Sequence, residues 1–121
     1  MMRERRLCES DYRLLSVIWD TEPINSMELS RICEDRIGWK KSTTFTLLRK
    51  LCDKGLVENV RAVVKSVTPK EQVMAREADL FIKNNFNGRF GLFLKVFLED
   101  KTLTAEKAEE FKKLIDEHVE G

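Results

Sequence analysis

Histidine and closely spaced cysteines are scarce in this 121-residue chain, and their scarcity argues against metal chemistry. His118 is the only histidine, and Cys8, Cys33 and Cys52 show neither Cys-x-Cys nor Cys-x-x-Cys spacing. Zinc and copper sites normally take several imidazoles or thiolates at short spacing. We therefore predict no metal and no cofactor, and reduced thiols that pack as small buried side chains.

Catalytic motifs and long apolar runs are missing as well. The chain has no Ser/His/Asp set and no glycine-rich phosphate loop, so we predict that it is not an enzyme. No apolar run approaches the about 20 residues of a membrane helix. The basic segment 1–6 is not followed by the apolar stretch of a secretory signal. We expect a cytoplasmic protein with no membrane partner.

The composition is that of a folded, charge-rich protein, with 42% hydrophobic and 36% charged residues. The net charge is only +1, but the charge is unevenly distributed. Residues 1–69 hold 13 Lys/Arg against 10 Asp/Glu, whereas residues 70–121 hold 9 against 11. This asymmetry weakly favours an anionic partner for the first part of the chain.

Capping and periodicity predict three short helices in the first half of the chain. Ser10 is the expected N-cap of the first helix, and Gly38 and Gly55 are the expected stops of the second and third. The predicted helices cover about Ser10–Asp20, Asn25 or Ser26 to Arg36, and Lys41–Lys54.

Two β-prone runs follow, at residues 56–60 and 63–67, and Arg61-Ala62 between them suits a tight turn although it lacks the usual Asn-Gly. Three helices and a hairpin predict a winged helix-turn-helix. We therefore expect a mainly α protein whose residues 1–68 form a winged-helix DNA-binding domain.

The third helix is predicted to have two chemically different faces. One face is apolar, with Thr44, Leu47, Leu48, Leu51 and Cys52. The opposite face carries Ser42, Thr46, Arg49 and Asp53, with Thr43 and Lys50 on the same flank. Its hydroxyls and cations suit phosphates and base edges in the DNA major groove. The predicted DNA contacts on this helix are Lys41, Ser42, Thr43, Thr46, Arg49, Lys50 and Lys54. Arg61 and Lys65 would approach the phosphate backbone from the wing.

Residues 69–121 are predicted to form a helical dimerisation unit. Helices are expected from Pro69, with Thr68 as N-cap, to about Asn84, over Arg89–Glu99, and from Thr104 to about Val119. Five of the seven phenylalanines fall between residues 81 and 97, more aromatic surface than three short helices bury alone. Packing against the first domain is the alternative. The predicted interface residues are Phe81, Phe86, Phe90, Phe93, Leu94, Phe97 and Leu114.

The order and spacing of several loose motifs resemble the bacterial winged-helix repressors of penicillinase, methicillin-resistance and copper-export genes. The resemblance runs from about Cys8 to Glu117. The motifs are Ser10-Asp11-Tyr12, Val17-Ile18-Trp19, Pro23-Ile24, Trp39-Lys40, Thr46-Leu47-Leu48, Arg49-Lys50-Leu51, Lys54-Gly55-Leu56, Phe86-Asn87-Gly88, Phe97-Leu98-Glu99 and Leu103-Thr104.

This resemblance implies a cytosolic homodimer that binds double-stranded, palindromic operator DNA and represses transcription. It also implies DNA contacts at Ser42, Thr43, Phe45, Thr46 and Lys50. Members carry lysine and arginine where this chain has Ser42 and Phe45. Phe45 either contacts a thymine methyl group or edges the core.

The resemblance leaves the inducing signal open. The proteolysed Asn-Phe bond of the β-lactam branch corresponds to Val96-Phe97 here, and the Cys-x-Cys motifs of the copper branch are missing. A sensor protein or an inducer remains a possible further partner. The alternative function is a winged-helix protein-interaction module without specific DNA binding.

Overall fold

A computed structural model describes residues 6–120; the first five residues of the basic segment lie outside this range. The chain forms six helices and three short strands within that range. In order they are α1 (Glu9–Thr21), β1 (Ile24–Asn25), α2 (Ser26–Ile37), α3 (Lys41–Asp53), β2 (Val57–Val60), β3 (Val63–Ser66), α4 (Lys70–Phe86), α5 (Phe90–Leu98) and α6 (Ala105–Asp116). Three helices followed by a hairpin form a winged helix, as the sequence predicted.

The helix boundaries follow the predicted signals at most ends. Asn25 caps α2 by accepting a hydrogen bond from the Met27 amide at 2.8 Å. Gly38 ends α2 in the left-handed conformation, at a φ of 83° that glycine adopts without strain. Gly55 follows α3 at a φ of 75°. Thr104 caps α6 through the Lys107 amide.

Three predicted ends were wrong or incomplete. The N-cap of α1 is Cys8, two residues before the expected Ser10, and Cys8 exchanges hydrogen bonds with Asp11 in a capping box. Thr68 donates its hydroxyl to the carbonyl oxygen of Gly55, which links the start of α4 to the end of α3. Helix α6 ends at Asp116 rather than near Val119.

A three-stranded antiparallel sheet of order β1-β3-β2 was only partly predicted. Strand β1 contains two residues, Ile24 and Asn25, which pair with Val64 and Val63 of β3. Two residues give too short a pattern for recognition from sequence. Their pairing makes β3 the central strand and joins the hairpin to the start of α2.

The core of the first compact unit lies between α1, α2, α3 and the sheet. Its fully buried members come from all four of these parts, so the helices and the hairpin share one apolar interior. The side chains that are completely inaccessible include Leu14, Leu15, Ile18, Leu29, Leu51 and Val64.

Contacts divide the chain into two compact units within α4, between Phe81 and Ile82. This division concerns packing; the functional boundary at residues 68 and 69 stays a prediction. The second unit contains the end of α4 with α5 and α6. Across residues 6–120, none of the helices combines the length and apolar character that a bilayer span requires.

Candidate nucleic-acid interface

The inner face of α3 holds the helix on the core. Thr44, Leu47, Leu48 and Leu51 are buried, and Cys52 is half-buried. This is the apolar face that the sequence predicted. Burial raises the pKa of the Cys33 thiol, which lies on α2, the helix that packs against α3. The contact joins the two helices at the centre of the unit.

The outer face of α3 is exposed along its whole length, also as predicted. The exposed side chains carry hydroxyls near the N-terminus and cations farther on: Lys41, Ser42, Thr43, Thr46, Arg49 and Lys50. Within residues 6–120, Arg49 and Lys50 make no ion pair with an acidic side chain. No acidic side chain of the described residues therefore neutralises their charges.

The N-terminus of α3 adds to this polar surface. The N-cap residue Lys40 makes no side-chain capping bond, and the first turn of the described helix holds no acidic residue. The first amide groups of a helix without a side-chain cap can donate to an anion, and the helix dipole favours negative charge there.

Phe45 lies at the edge between the two faces. Its ring is half-buried and packs against the core, and the Lys41 ammonium lies 5.9 Å from the ring centroid. The packing agrees with the core-edge alternative, while the remaining exposure leaves part of the ring at the surface beside Ser42 and Thr46.

Lys54, predicted to contact DNA, makes an ion pair within the first unit. Its ammonium lies 3.1 Å from Oδ2 of Asp11, which is almost completely buried. Burial alone would raise the pKa of Asp11, but hydrogen bonds from Cys8 and Lys54 outweigh it and lower that pKa. Because a buried carboxylate needs its partner, we leave Lys54 out of the proposed DNA contacts.

The hairpin of β2 and β3 places two predicted cations in different surroundings. Lys65 faces Glu58 across the strands, with 3.4 Å between its ammonium and the carboxylate. Arg61 stands at the tip of the turn and is exposed. Among the described residues, Arg61 has no acidic partner.

The predicted interface residues of the second unit form a connected aromatic group on and next to α5. The ring of Phe93 lies 5.3 Å from Phe86, 6.1 Å from Phe90 and 5.7 Å from Phe97, measured between centroids. No residue of α5 or α6 is fully buried. Leu94 is half-buried on α5, and Leu114 is exposed on α6.

Phe81 differs from the other predicted interface residues. It is the last residue of the first unit, and the Arg6 guanidinium lies 5.1 Å from its ring centroid. The Val96-Phe97 bond lies within α5, and both side chains are about half exposed.

The sequence analysis missed two buried carboxylates that anchor the start of the chain. Asp11 binds the Cys8 amide at 3.1 Å, and Glu77 of α4 accepts the Leu7 amide at 2.7 Å. Cys8 was also expected to be buried and is exposed. An acidic residue at the third helical position is a local signal that could have shown Cys8 as the cap.

The fold and this surface define the class of protein, a winged helix that presents an uncapped, hydroxyl-and-cation-bearing helix to solvent. The family model described as penicillinase repressor matches residues 7–117, and the chain belongs to that family. Members of the family are transcriptional regulators and not enzymes, and the chain is accordingly a transcriptional repressor by family.

Two similar proteins illustrate the relationship. The penicillinase repressor of Bacillus licheniformis is 23% identical over 122 residues, which cover 98% of this chain and 95% of that protein. The second is a probable transcriptional regulator from Pseudomonas aeruginosa with a known crystal structure, whose sequence is 17% identical. The structural match covers 93% of this chain and 79% of that chain, with a TM-score of 0.43.

Proposed function

We propose that this protein acts in the cytoplasm as a homodimer that represses transcription by binding a palindromic operator. Each protomer would place α3 in a major groove, with α2 behind it and the hairpin wing beside it. Occupation of promoter DNA would then exclude the transcription machinery. The outer face of α3 is the observation that carries this proposal.

Four properties of α3 support a role in the major groove. Its inner face is fixed on the core, so the helix is held rigidly. Its first turn carries small hydroxyls, which allow close approach to a surface. Arg49 and Lys50 retain unneutralised charge among the described residues, and the helix N-terminus is open to a phosphate. The proposed contacts from α3 are Lys41, Ser42, Thr43, Phe45, Thr46, Arg49 and Lys50.

The second unit supports pairing of two copies. Phe90 is 62% exposed, Phe97 is 49% exposed, and α6 adds Leu114 and Ile115 at 54% and 59%. Large apolar side chains left this exposed on two helices are typical of an interaction site. A second copy would cover it, and two-fold pairing would present two α3 helices to half-sites about 34–36 Å apart.

Selection from random-sequence duplex DNA with the full-length protein tests the operator proposal. We expect enrichment of a palindromic motif, and an affinity that falls with salt at a log–log slope of about −0.9 per phosphate neutralised. Enrichment of no motif at any salt concentration would favour the protein-interaction alternative instead.

Single substitutions on the two faces of α3 sharpen that test. Arg49→Ala and Thr46→Ala should each weaken binding to the selected duplex by about 1–3 kcal/mol if the side chain contacts a base. Thermal melting should show that both variants stay folded, because both side chains are exposed. Unchanged affinity in both variants would contradict the placement of α3 in the groove.

A further inference from the structure

The tip of the wing is built from two residues in an unusual backbone conformation. Arg61 and Ala62 have φ values of 52° and 66°, and both connect β2 to β3. Two positive φ angles in a two-residue hairpin turn are the conformation that favours Asn-Gly. Non-glycine residues are strained in this region by roughly 1–2 kcal/mol each. Arginine at position 61 therefore makes the turn less stable than glycine would, so the fold alone does not explain its presence.

The tip is held firmly in spite of that strain. Val60 and Val63 pair directly beneath it, β1 pairs with the other side of β3, and the Ser26 amide donates to the Ala62 carbonyl oxygen at 2.8 Å. The backbone that carries Arg61 is thus bonded on both sides, and its position relative to α2 is determined by the sheet.

The side chains around Arg61 are arranged by the strand register. Residues that face each other on antiparallel strands share one face of the sheet. Val60 and Val63 therefore lie next to each other on the outer face, just below the tip, and are 56% and 45% exposed. The next pair on that face is Glu58 and Lys65, which neutralise each other.

This arrangement differs from a surface that follows a phosphate backbone. Backbone-tracking surfaces carry several cations, each of which neutralises a phosphate. Here Arg61 stands alone at the tip, Val60 and Val63 pair directly beneath it, and the Glu58–Lys65 ion pair lies next on the same face. The paired Glu58 and Lys65 offer a row of phosphates no net charge, so the face as a whole is a poor match for the backbone.

A single arginine with apolar side chains beneath it matches the minor groove better than it matches the phosphate backbone. That groove is about 6 Å wide, too narrow for a β-ribbon but wide enough for one arginine. Where A·T-rich sequence narrows it further, its negative potential attracts arginine, and its rims present the apolar edges of the sugars. Arginine is also more weakly hydrated than lysine and enters a confined site at less cost.

We propose that Arg61 inserts into the DNA minor groove and makes binding depend on A·T base pairs next to each half-site, with Val60 and Val63 against the sugars. This inference rests on the proposed DNA-binding function and adds a second position of sequence recognition to it. The α3 helix reads the major groove, and the wing reads the width and the amino-group content of the minor groove beside it.

The test uses the duplex selected from random-sequence DNA and a second version of it. In the second version, 2,6-diaminopurine replaces adenine in the five base pairs that flank each half-site. Diaminopurine leaves the major-groove edge of adenine in place and adds an amino group in the minor groove. We expect the full-length wild-type protein to bind the modified duplex about tenfold more weakly.

Arg61→Gly removes the guanidinium without endangering the turn, because glycine adopts positive φ without strain. This variant should bind the unmodified duplex about tenfold more weakly than wild type and should not distinguish the two duplexes. Lys65→Ala is the matched control on the same hairpin. Because Lys65 is paired with Glu58, we expect this variant to keep the wild-type preference for the unmodified duplex.

The other outcomes separate the two proposals. Wild-type protein that binds both duplexes equally well overturns the minor-groove role and leaves the operator proposal standing, whatever Arg61→Gly does to the affinity. The minor-groove role is also overturned if the Arg61→Gly variant still binds the unmodified duplex more tightly than the modified one. A selection that enriches no motif overturns both proposals together.

Discussion

The two compact units of this chain differ in how completely each one buries its own apolar side chains. The first unit has a closed core in which Leu14, Leu15 and Ile18 are inaccessible to solvent. The second unit has two helices, α5 and α6, without a single buried residue. The first unit encloses its own core, whereas we propose that the second unit completes its burial only by pairing with a second copy. DNA recognition is proposed for the first unit and pairing for the second.

The largest effect should come from a cavity in the closed core. Leu48 is 2% exposed on the inner face of α3, and Leu48→Ala should lower the free energy of unfolding by about 2–5 kcal/mol. Urea denaturation at one protein concentration measures this. Thr46→Ala, on the opposite face of the same helix, should stay within about 0.5 kcal/mol of wild type. Equal losses in both variants would show that the two faces of α3 are wrongly assigned.

A substitution among the exposed apolar residues of α5 and α6, here called the open face, should change association of the protein rather than its folding. Leu114 is 54% exposed in the single chain, so Leu114→Glu should leave the first unit folded. We expect it to raise the dimer dissociation constant at least about 30-fold if Leu114 lies at the centre of the interface. Light scattering over a concentration series measures this constant.

Thr102→Glu is the matched control for that experiment, because it adds the same charge at an exposed position between α5 and α6. This variant should associate like wild type. A wild-type protein that stays monomeric at all concentrations would contradict the pairing of the open face.

An intermediate effect is expected at the buried ion pair of the first unit. Asp11→Asn should cost about 1–3 kcal/mol at neutral pH, because it removes a charged acceptor from Lys54 and Cys8. The pKa of Asp11 is below its unfolded value of 3.8, so ionised Asp11 stabilises the fold above that pH. This stabilisation is lost as the pH falls through the folded pKa.

Urea denaturation of the wild type and of Asp11→Asn between pH 2 and 7 measures this contribution to stability. The wild-type stability should decline from about pH 4 downward more steeply than that of Asp11→Asn. Parallel pH profiles would mean that the carboxylate does not contribute through its charge.

The smallest effect should be a gain at the strained turn. Ala62 has a φ of 66°, and Ala62→Gly removes the steric cost of that angle. The net gain should be about 1 kcal/mol or less, since glycine also loses more entropy on folding. Thermal unfolding measures it. A loss of stability would show that the turn does not hold this conformation in solution.

Much of the first unit was predictable from local patterns. Helical periodicity identified both faces of α3, because burial against a core imposes an apolar stripe on any helix that packs there. Gly38 and Gly55 marked the ends of α2 and α3 correctly, since few other residues adopt a positive φ. The hairpin was also found despite its non-glycine turn.

Contacts between distant residues were not predictable in the same way. Lys54 was predicted only as one more cation for DNA, and its partner Asp11 lies 43 residues earlier in the chain. Cys8 became a helix cap through Asp11, and Leu7 was fixed by Glu77, 70 residues away. Strand β1 exists only because the hairpin returns to pair with Ile24 and Asn25.

The amino-acid sequence by itself determined which segments form helices, which side of α3 faces solvent and which family the chain resembles. These properties depend on neighbours within one or two helical turns, and such neighbours are visible in a linear pattern. The tertiary structure alone decided which cations stay unneutralised on the surface and how firmly the wing tip is held. Those properties depend on residues that are distant in the sequence and come into contact only in the folded chain. A local sequence pattern therefore cannot predict them.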